Sequence, residues 1–180
     1  MIRRMQASAA SGEEMEFIYC GGRFDFDYLD EGFRERAEKD YRAVLLKDVN
    51  KLLCPSDTVM LSDSLAYAGP FYFETDGMQD RNIVEIEKKQ IERCTDAVFL
   101  LDHSPCPGTI AEMVYAASLQ KKIHIFYVKD KNETESLLHS PFWYPMILCS
   151  LIDPADIEMT SCASRSEACE RIIRWMKDSF

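Results

Sequence analysis

The chain has 180 residues, 47% of them hydrophobic and 29% charged, and a formal net charge of -10. That length supports one domain with a full core, and the composition is that of an ordinary globular protein. The acidic balance excludes nucleic acid as the main partner, because no basic stripe is present to neutralise phosphates, and no apolar run reaches the ~18 residues of a membrane span.

Residues 1–16 carry Arg3 and Arg4 but no apolar segment behind them, so they read as a disordered tail without a secretory signal. The folded domain is then 17–180. Seven cysteines (Cys20, Cys54, Cys94, Cys106, Cys149, Cys162, Cys169) make an odd set with no Cys-x-x-Cys pair and no His at metal-finger spacing. They read as small apolar core residues of a cytoplasmic protein, and no metal is expected.

Phe17–Cys20 is a short apolar strand that stops at Gly21-Gly22 and runs into an aromatic, acidic loop, Arg23–Tyr28. The pattern is half of a phosphate-binding turn; without G-x-G-x-x-G it gives no dinucleotide fingerprint. A plain strand-to-helix turn and a pocket loop account for it about equally. Glu31–Leu53 is the first helix, with Phe33, Ala37, Tyr41, Val44 or Leu45, and Val49 on one side. Asp57–Leu61 is the second strand. After it, Tyr67–Phe73 forms an aromatic loop suited either to close over a flat ring or to pack under a long connection.

Asn82–Cys94 is the next helix, with Ile83, Ile86, Gln90 and Ile91 inward and Glu87 close to that side. Ala97–Leu101 is an unbroken apolar run, the mark of a parallel strand covered on both faces. Asp102 ends it, Pro105, Pro107 and Gly108 interrupt regular structure, and helical spacing resumes at Ile110, Met113, Val114 and Ala117. Lys122–Val128 is a further strand and Glu133–Leu138 a short helical turn before the aromatic cluster Pro141–Pro145. Met146–Ile152 and the stretch around Ile157 are candidates for the last strand, and Ser164–Lys177 closes the chain as a helix. The order predicts an α/β fold: a single-domain, flavodoxin-like, doubly wound parallel sheet of about five strands, order 2-1-3-4-5.

In such sheets ligands sit outside the carboxyl ends of the strands. Gly21 to Phe24, Asp102 to Thr109 and Glu112 are therefore expected to line one cleft. Thr109-Ile-Ala-Glu112 also reads as a capping box, which by itself accounts for both polar residues. Capping leaves unexplained why Asp102 at the strand end faces Glu112 on the following helix. A carboxylate held ionised by the helix dipole beside a pocket is suited to attack a carbon bearing positive charge.

The segment Ile91–Asp102, continued through Gly108-Thr-Ile-Ala-Glu-Met-Val-Tyr-Ala116 to Lys122, resembles the nucleoside 2-deoxyribosyltransferase superfamily, which includes 2'-deoxynucleoside 5'-monophosphate N-hydrolases. Ile18-Tyr-Cys-Gly-Gly-Arg-Phe24 is similar to its first strand and substrate loop, and the resemblance spans roughly residues 17–128. It implies that Glu112 is the catalytic carboxylate, attacking the anomeric carbon and expelling the base. It also implies a second carboxylate on the preceding helix. Strict counting back from Asp96 reaches Lys88, whereas one extra residue within Arg93–Thr95 reaches Glu87, the preferred position because Ile91 then falls at the apolar site.

By the same resemblance Cys20, Gly21, Gly22, Arg23, Phe24, Asp102, Cys106, Gly108 and Thr109 are substrate-binding, with no cofactor and a homo-oligomeric assembly. Three departures stand out. Cys106 replaces the usual Asp or Ser near the sugar 5' end, Val114 replaces a Gly and threatens to crowd the pocket, and Gly69–Phe73 repeats a first-loop motif out of place. The implied activity is cleavage or transfer at the N-glycosidic bond of a 2'-deoxynucleoside or its 5'-monophosphate. Its rivals are an NAD-type or ribonucleotide N-glycohydrolase and a non-catalytic nucleotide-binding protein of the same fold.

Overall fold

The apolar run Ala97–Leu101 forms the middle of the sheet. In the computed structural model, residues 15–23, 38–52, 58–71, 80–102, 106–129, 142–152 and 156–180 are described. They form, in chain order, β1 (Glu16–Gly22), α1 (Tyr41–Leu46), a 3-10 turn (Val49–Leu52), β2 (Val59–Met60), β3 (Leu65–Gly69), α2 (Asp80–Arg93), β4 (Asp96–Leu101), α3 (Pro107–Ser118), β5 (Lys122–Val128), α4 (Trp143–Ile152), β6 (Ile157–Cys162) and α5 (Arg165–Ser179). One sheet takes the order β2-β3-β1-β4-β5-β6. Every neighbour pair is parallel except β2 with β3.

Every residue of β4 is buried, because its side chains alternate between two cores. Val98 and Leu100 join Ile18, Cys20, Phe126 and Val128 in one, under α1 and α5. Ala97, Phe99 and Leu101 join Tyr19, Ile123 and Ile125 in the other, under α2, α3 and α4. Six strands replace the five expected, so the order differs from 2-1-3-4-5. The five mutually parallel strands do follow one another as second, first, third, fourth and fifth once the antiparallel edge β2 is set apart.

Three expectations are corrected. The second parallel strand is β3, not Asp57–Leu61. Ser62 Oγ accepts from the backbone N–H of Leu65 (3.1 Å), closing a tight turn that sends the chain back along Val59–Met60. The aromatic stretch after it begins inside the sheet. Tyr67 is buried in β3, meets Phe71 edge-on at 5.2 Å and donates its hydroxyl to the Pro70 carbonyl, so the described part of the stretch is packed, Tyr67–Gly69 in strand and not in loop. Finally, Met146–Ile152 lies in helix α4; Pro145 falls in its first turn, where no N–H is required. Of the expected first helix, Glu31–Leu53, residues 31–37 and 53 lie outside the described residues, as do the helical turn at 133–138 and residues 72–79. Over 38–52 the chain forms not one helix but α1 and the 3-10 turn, parted at Lys47, whose φ is +56.

The carboxyl end of β1 is held by the segment that starts α1. Asp40 caps that helix, accepting from the backbone N–H of Arg42. Tyr41 donates its hydroxyl to the Gly21 carbonyl (3.0 Å). Arg42, fully buried, donates to the carbonyls of Cys20 (3.3 Å), Gly22 (3.1 Å) and Arg23 (3.3 Å). It also makes a two-pronged pair with Asp40, both contacts 2.7 Å. Burial alone would raise the Asp40 carboxyl, but the charge and hydrogen bonds of Arg42 hold it below its ordinary value.

Removing one partner of such a buried pair strands the other charge, which costs roughly 3–5 kcal/mol. Arg42→Met is therefore expected to lose stability on that scale in denaturant titration, and Asp40→Asn in the same chain to recover part of it. A loss below ~1 kcal/mol, the scale of an exposed ion pair, would show that the clamp does not hold β1.

Candidate active site

Helix α3 begins at Pro107, with Cys106 as N-cap and no side chain capping it. Proline is preorganised for the first helical position, so the helix starts earlier than a capping box at Thr109 requires. The expected box is not formed. Thr109 is buried within the first turn and Glu112 lies in the second, past the amides that need caps. The capping account of Glu112 falls with it.

Glu112 instead sits against β1. A Cβ placed on Gly21 would lie 3.5 Å from Glu112 Oε2 and would collide with the Phe99 ring, so this position requires glycine. Tyr19, fully buried on the same face of β1, brings its hydroxyl near enough to Glu112 to favour the ionised carboxyl. A cleft of about 270 Å³ opens between α2 and α3, lined by Glu87, Ile91, Gly108, Ala111, Glu112 and Tyr115, among others. Lys88 Nζ lies 5.2 Å from the centre of the Tyr115 ring, and the Tyr115 hydroxyl donates to Glu92 (2.7 Å).

The cleft walls are mostly apolar, and this governs the two carboxyls. Burial, then repulsion from Glu87, pushes Glu112 up to about 7, while the nearby Tyr19 hydroxyl and the charge of Arg42 pull the other way. Burial likewise raises Glu87. The expectation that the helix dipole keeps Glu112 ionised is corrected: a dipole contributes ~0.3–1 kcal/mol near a helix end, less than the desolvation opposing it.

A second group gathers at the carboxyl ends of β1 and β4. Asp102, half-buried, pairs with Arg165 Nη1. Arg165 Nη2 donates to the Arg23 carbonyl (3.1 Å) and stands 3.5 Å from Asp40 Oδ2. Cys106 is buried nearby, and its thiol is raised first by burial, then by Asp102 and Glu112, against the opposing influence of Thr109 and the charge of Arg23.

The expected single cleft is thus divided. Glu87, Gly108 and Glu112 line it and Gly21 borders it. Asp102, Cys106, Thr109 and Arg23 form the second group, at the strand ends. Cys20 is corrected: as alternation along β1 dictates, its side chain enters the core on the opposite face from Glu112. Gly22 belongs to β1, with φ at +147 and its Cα facing the Leu100 carbonyl. Phe24 lies outside the described residues. Val114 is half-buried against the core and does not line the cleft.

The sequence reading missed Tyr19, Arg42 and Arg165. The period-two rule applied outward from Gly21 would have found Tyr19; the two arginines read as ordinary helix charges.

No known family's sequence pattern matches the chain, and no curated protein matches it either. Solved structures do resemble it. A CMP N-glycosidase of Clostridium botulinum, BcmB, is 10% identical at a TM-score of 0.50, covering 89% of this chain and 99% of its own. A conserved protein from Enterococcus faecalis V583 is 13% identical at a TM-score of 0.52, covering 92% and 99%. The likeness is one of fold.

The raised Glu112 carboxyl has a consequence for stability. The unfolded chain releases this proton near the ordinary value of 4.5 and the native protein near 7, so ionising Glu112 destabilises the fold as pH rises between them. Glu112→Gln removes that cost. The variant is expected to be more stable than the wild type at pH 8, by up to about 3 kcal/mol, and equal to it near pH 4. Melting curves at the two pH values check this; a variant less stable at pH 8 would contradict the buried, proton-retaining carboxyl.

Proposed function

We propose that the protein cleaves N-glycosidic bonds of nucleosides or their 5'-monophosphates, with Glu112 as nucleophile and Glu87 as the acid that serves the departing base. The observation that carries this reading is the pair itself. Two carboxyls, each raised by burial, share one mostly apolar cleft, and the Tyr19 hydroxyl lowers one of them in part. The resemblance of Ile91–Lys122 to the nucleoside 2-deoxyribosyltransferase superfamily supports it, as does a fold similar to that of a CMP N-glycosidase.

The chemistry follows from the geometry. Breaking the bond between sugar and base develops positive charge at the anomeric carbon, and an anionic carboxylate at that carbon stabilises it or captures it as an ester. As the C–N bond breaks, its electron pair leaves with the base, and a proton from Glu87 neutralises the base nitrogen. Water then attacks the glycosyl ester, delivering its proton to Glu87 and its hydroxyl to the sugar, and Glu112 is restored as a carboxylate. A second base in place of water would make the same site a transferase. The Tyr19 hydroxyl favours the ionised form of Glu112, and the apolar walls exclude bulk water from the ester.

A ribonucleotide N-glycohydrolase is the second reading, favoured by the ribonucleotide named for the Clostridium enzyme. A homo-oligomer belongs to the proposal as well. Along α4 the side chains of Tyr144 and Leu151 are 62% and 75% exposed, an apolar face of the kind buried between subunits.

The test is incubation with ribo- and deoxyribonucleosides and their 5'-monophosphates, with and without a second free base, followed by chromatography. Wild type is expected to release free base, and Glu112→Gln to lose turnover by roughly 10³-fold or more while staying folded. Because the nucleophile must be ionised, kcat/KM is expected to rise with pH through about 7. Full activity in Glu112→Gln would exclude Glu112 as nucleophile.

A further inference from the structure

In a chain with a formal net charge of -10, three arginines converge at one end of the sheet. Arg42 is completely enclosed and its donors are committed to Asp40 and the β1 carbonyls. Arg165 differs: its side chain is 27% exposed, against 0% for Arg42. It reaches the site from the first residue of α5, held there by Asp102 and the Arg23 carbonyl. Arg23 is exposed, and its charge acts on the Cys106 thiol together with those of Asp102 and Glu112. Arg23 and Asp102 therefore lie near the N-cap of α3, and Arg165 is joined to them through Asp102 and the Arg23 carbonyl. Cys106 precedes Glu112 by six residues, which is about 9 Å of helix, comparable with the reach of a sugar and its phosphate.

We propose that Arg165 is the specificity-determining residue of this site, holding with Arg23 the 5'-phosphate of a nucleoside monophosphate, so that the substrate class is the nucleotide and not the free nucleoside. The proposal rests on Glu112 and Glu87 being the site of N-glycosidic cleavage. A guanidinium offers a planar fork of donors matched to phosphate oxygens, which a lysine does not. Asp102 sharpens the discrimination. Paired with Arg165 it is neutralised; left alone it would repel a phosphate dianion while still accepting a hydrogen bond from the neutral 5'-hydroxyl of a nucleoside. Loss of Arg165 thus weakens nucleotide binding twice over and leaves nucleoside binding intact.

The experiment is calorimetric titration of the Glu112→Gln protein, in which binding is read without turnover. Each common ribo- and deoxyribonucleoside is used as probe beside its 5'-monophosphate. The preferred monophosphate is expected to bind at least tenfold tighter than its nucleoside. Adding Arg165→Gln should abolish that difference, and Arg165→Lys should restore part of it. Asp102→Asn, which keeps the arginine and removes the anion, should bind the monophosphate as tightly or more so. Equal weakening of both ligands by Arg165→Gln, or of both by Asp102→Asn, would overturn the proposal and leave the pair as a fastening for α5; so would monophosphates that bind no better than nucleosides. Melting curves establish that each variant is folded. Arg165-dependent nucleotide binding in a wild type that releases no base would sink the cleavage reading and keep this one. Base release that is indifferent both to phosphate and to Arg165 would do the reverse.

Discussion

Arg42 is the residue on which the site depends. A strand that ends inside a protein leaves carbonyls that need donors, and a buried unpaired carbonyl costs as much as a lost hydrogen bond. At the end of β1 one short segment reaches four successive carbonyls, the last of them shared with Arg165. Tyr41 serves Gly21, while Arg42 serves Cys20, Gly22 and Arg23. Asp40, the cap of α1, balances the guanidinium and in turn faces Arg165. One buried cation thus fixes the strand that borders Glu112, the helix that covers the opposite face, and the approach of the C-terminal helix.

Strand alternation then sorts the chemistry. Because neighbouring side chains on β1 point to opposite faces, Cys20 is given to the apolar core under α1 and α5, and Tyr19 to the face where Glu112 lies. Burial raises the thiols of Cys94, Cys149 and Cys162 to about 11 or 12, so these cysteines stay protonated and act as small apolar residues. Gly21 completes the arrangement. Phe99 fills the space above it and leaves no room for a side chain between the strand and the carboxyl.

Much of the fold was legible because its signals are periodic and local. Ala97–Leu101 has no polar residue and so had to be covered on both sides, and Ile110, Met113, Val114 and Ala117 recur at the interval of a helix with one buried face, Met113 and Ala117 being buried. The last helix, expected from Ser164, is α5, where Ser164 accepts from the Glu167 amide and Glu167 from the amide of Ala163. The misreadings have physical causes. Leu65–Gly69 is short, small and glycine-ended, which reads as loop, yet it pairs along its length with β1. Thr109-x-x-Glu112 has the letters of a cap, but Pro107 opens the helix first. The strand-end ion pairs join residues as far apart as Asp102 and Arg165, and no local pattern announces a contact of that range.

On the proposed reading, the raised carboxyl of Glu112 assists the reaction. A carboxylate that is already well solvated gains little when a cation forms beside it, since it must give up as much as it gains. In the cleft, burial and the neighbouring Glu87 make the ionised form costly in the free protein, by roughly the few kcal/mol that a shift from 4.5 to about 7 represents. Positive charge developing at the anomeric carbon relieves that cost in the transition state and not before. Only an interaction stronger in the transition state than in the ground state accelerates the chemical step. Tyr19 and Arg42 limit the shift to a value at which the carboxylate is still populated near neutral pH. A fully solvated Glu would be ionised throughout but would lack this differential. A Glu buried without those two partners would keep its proton and could not act as a nucleophile.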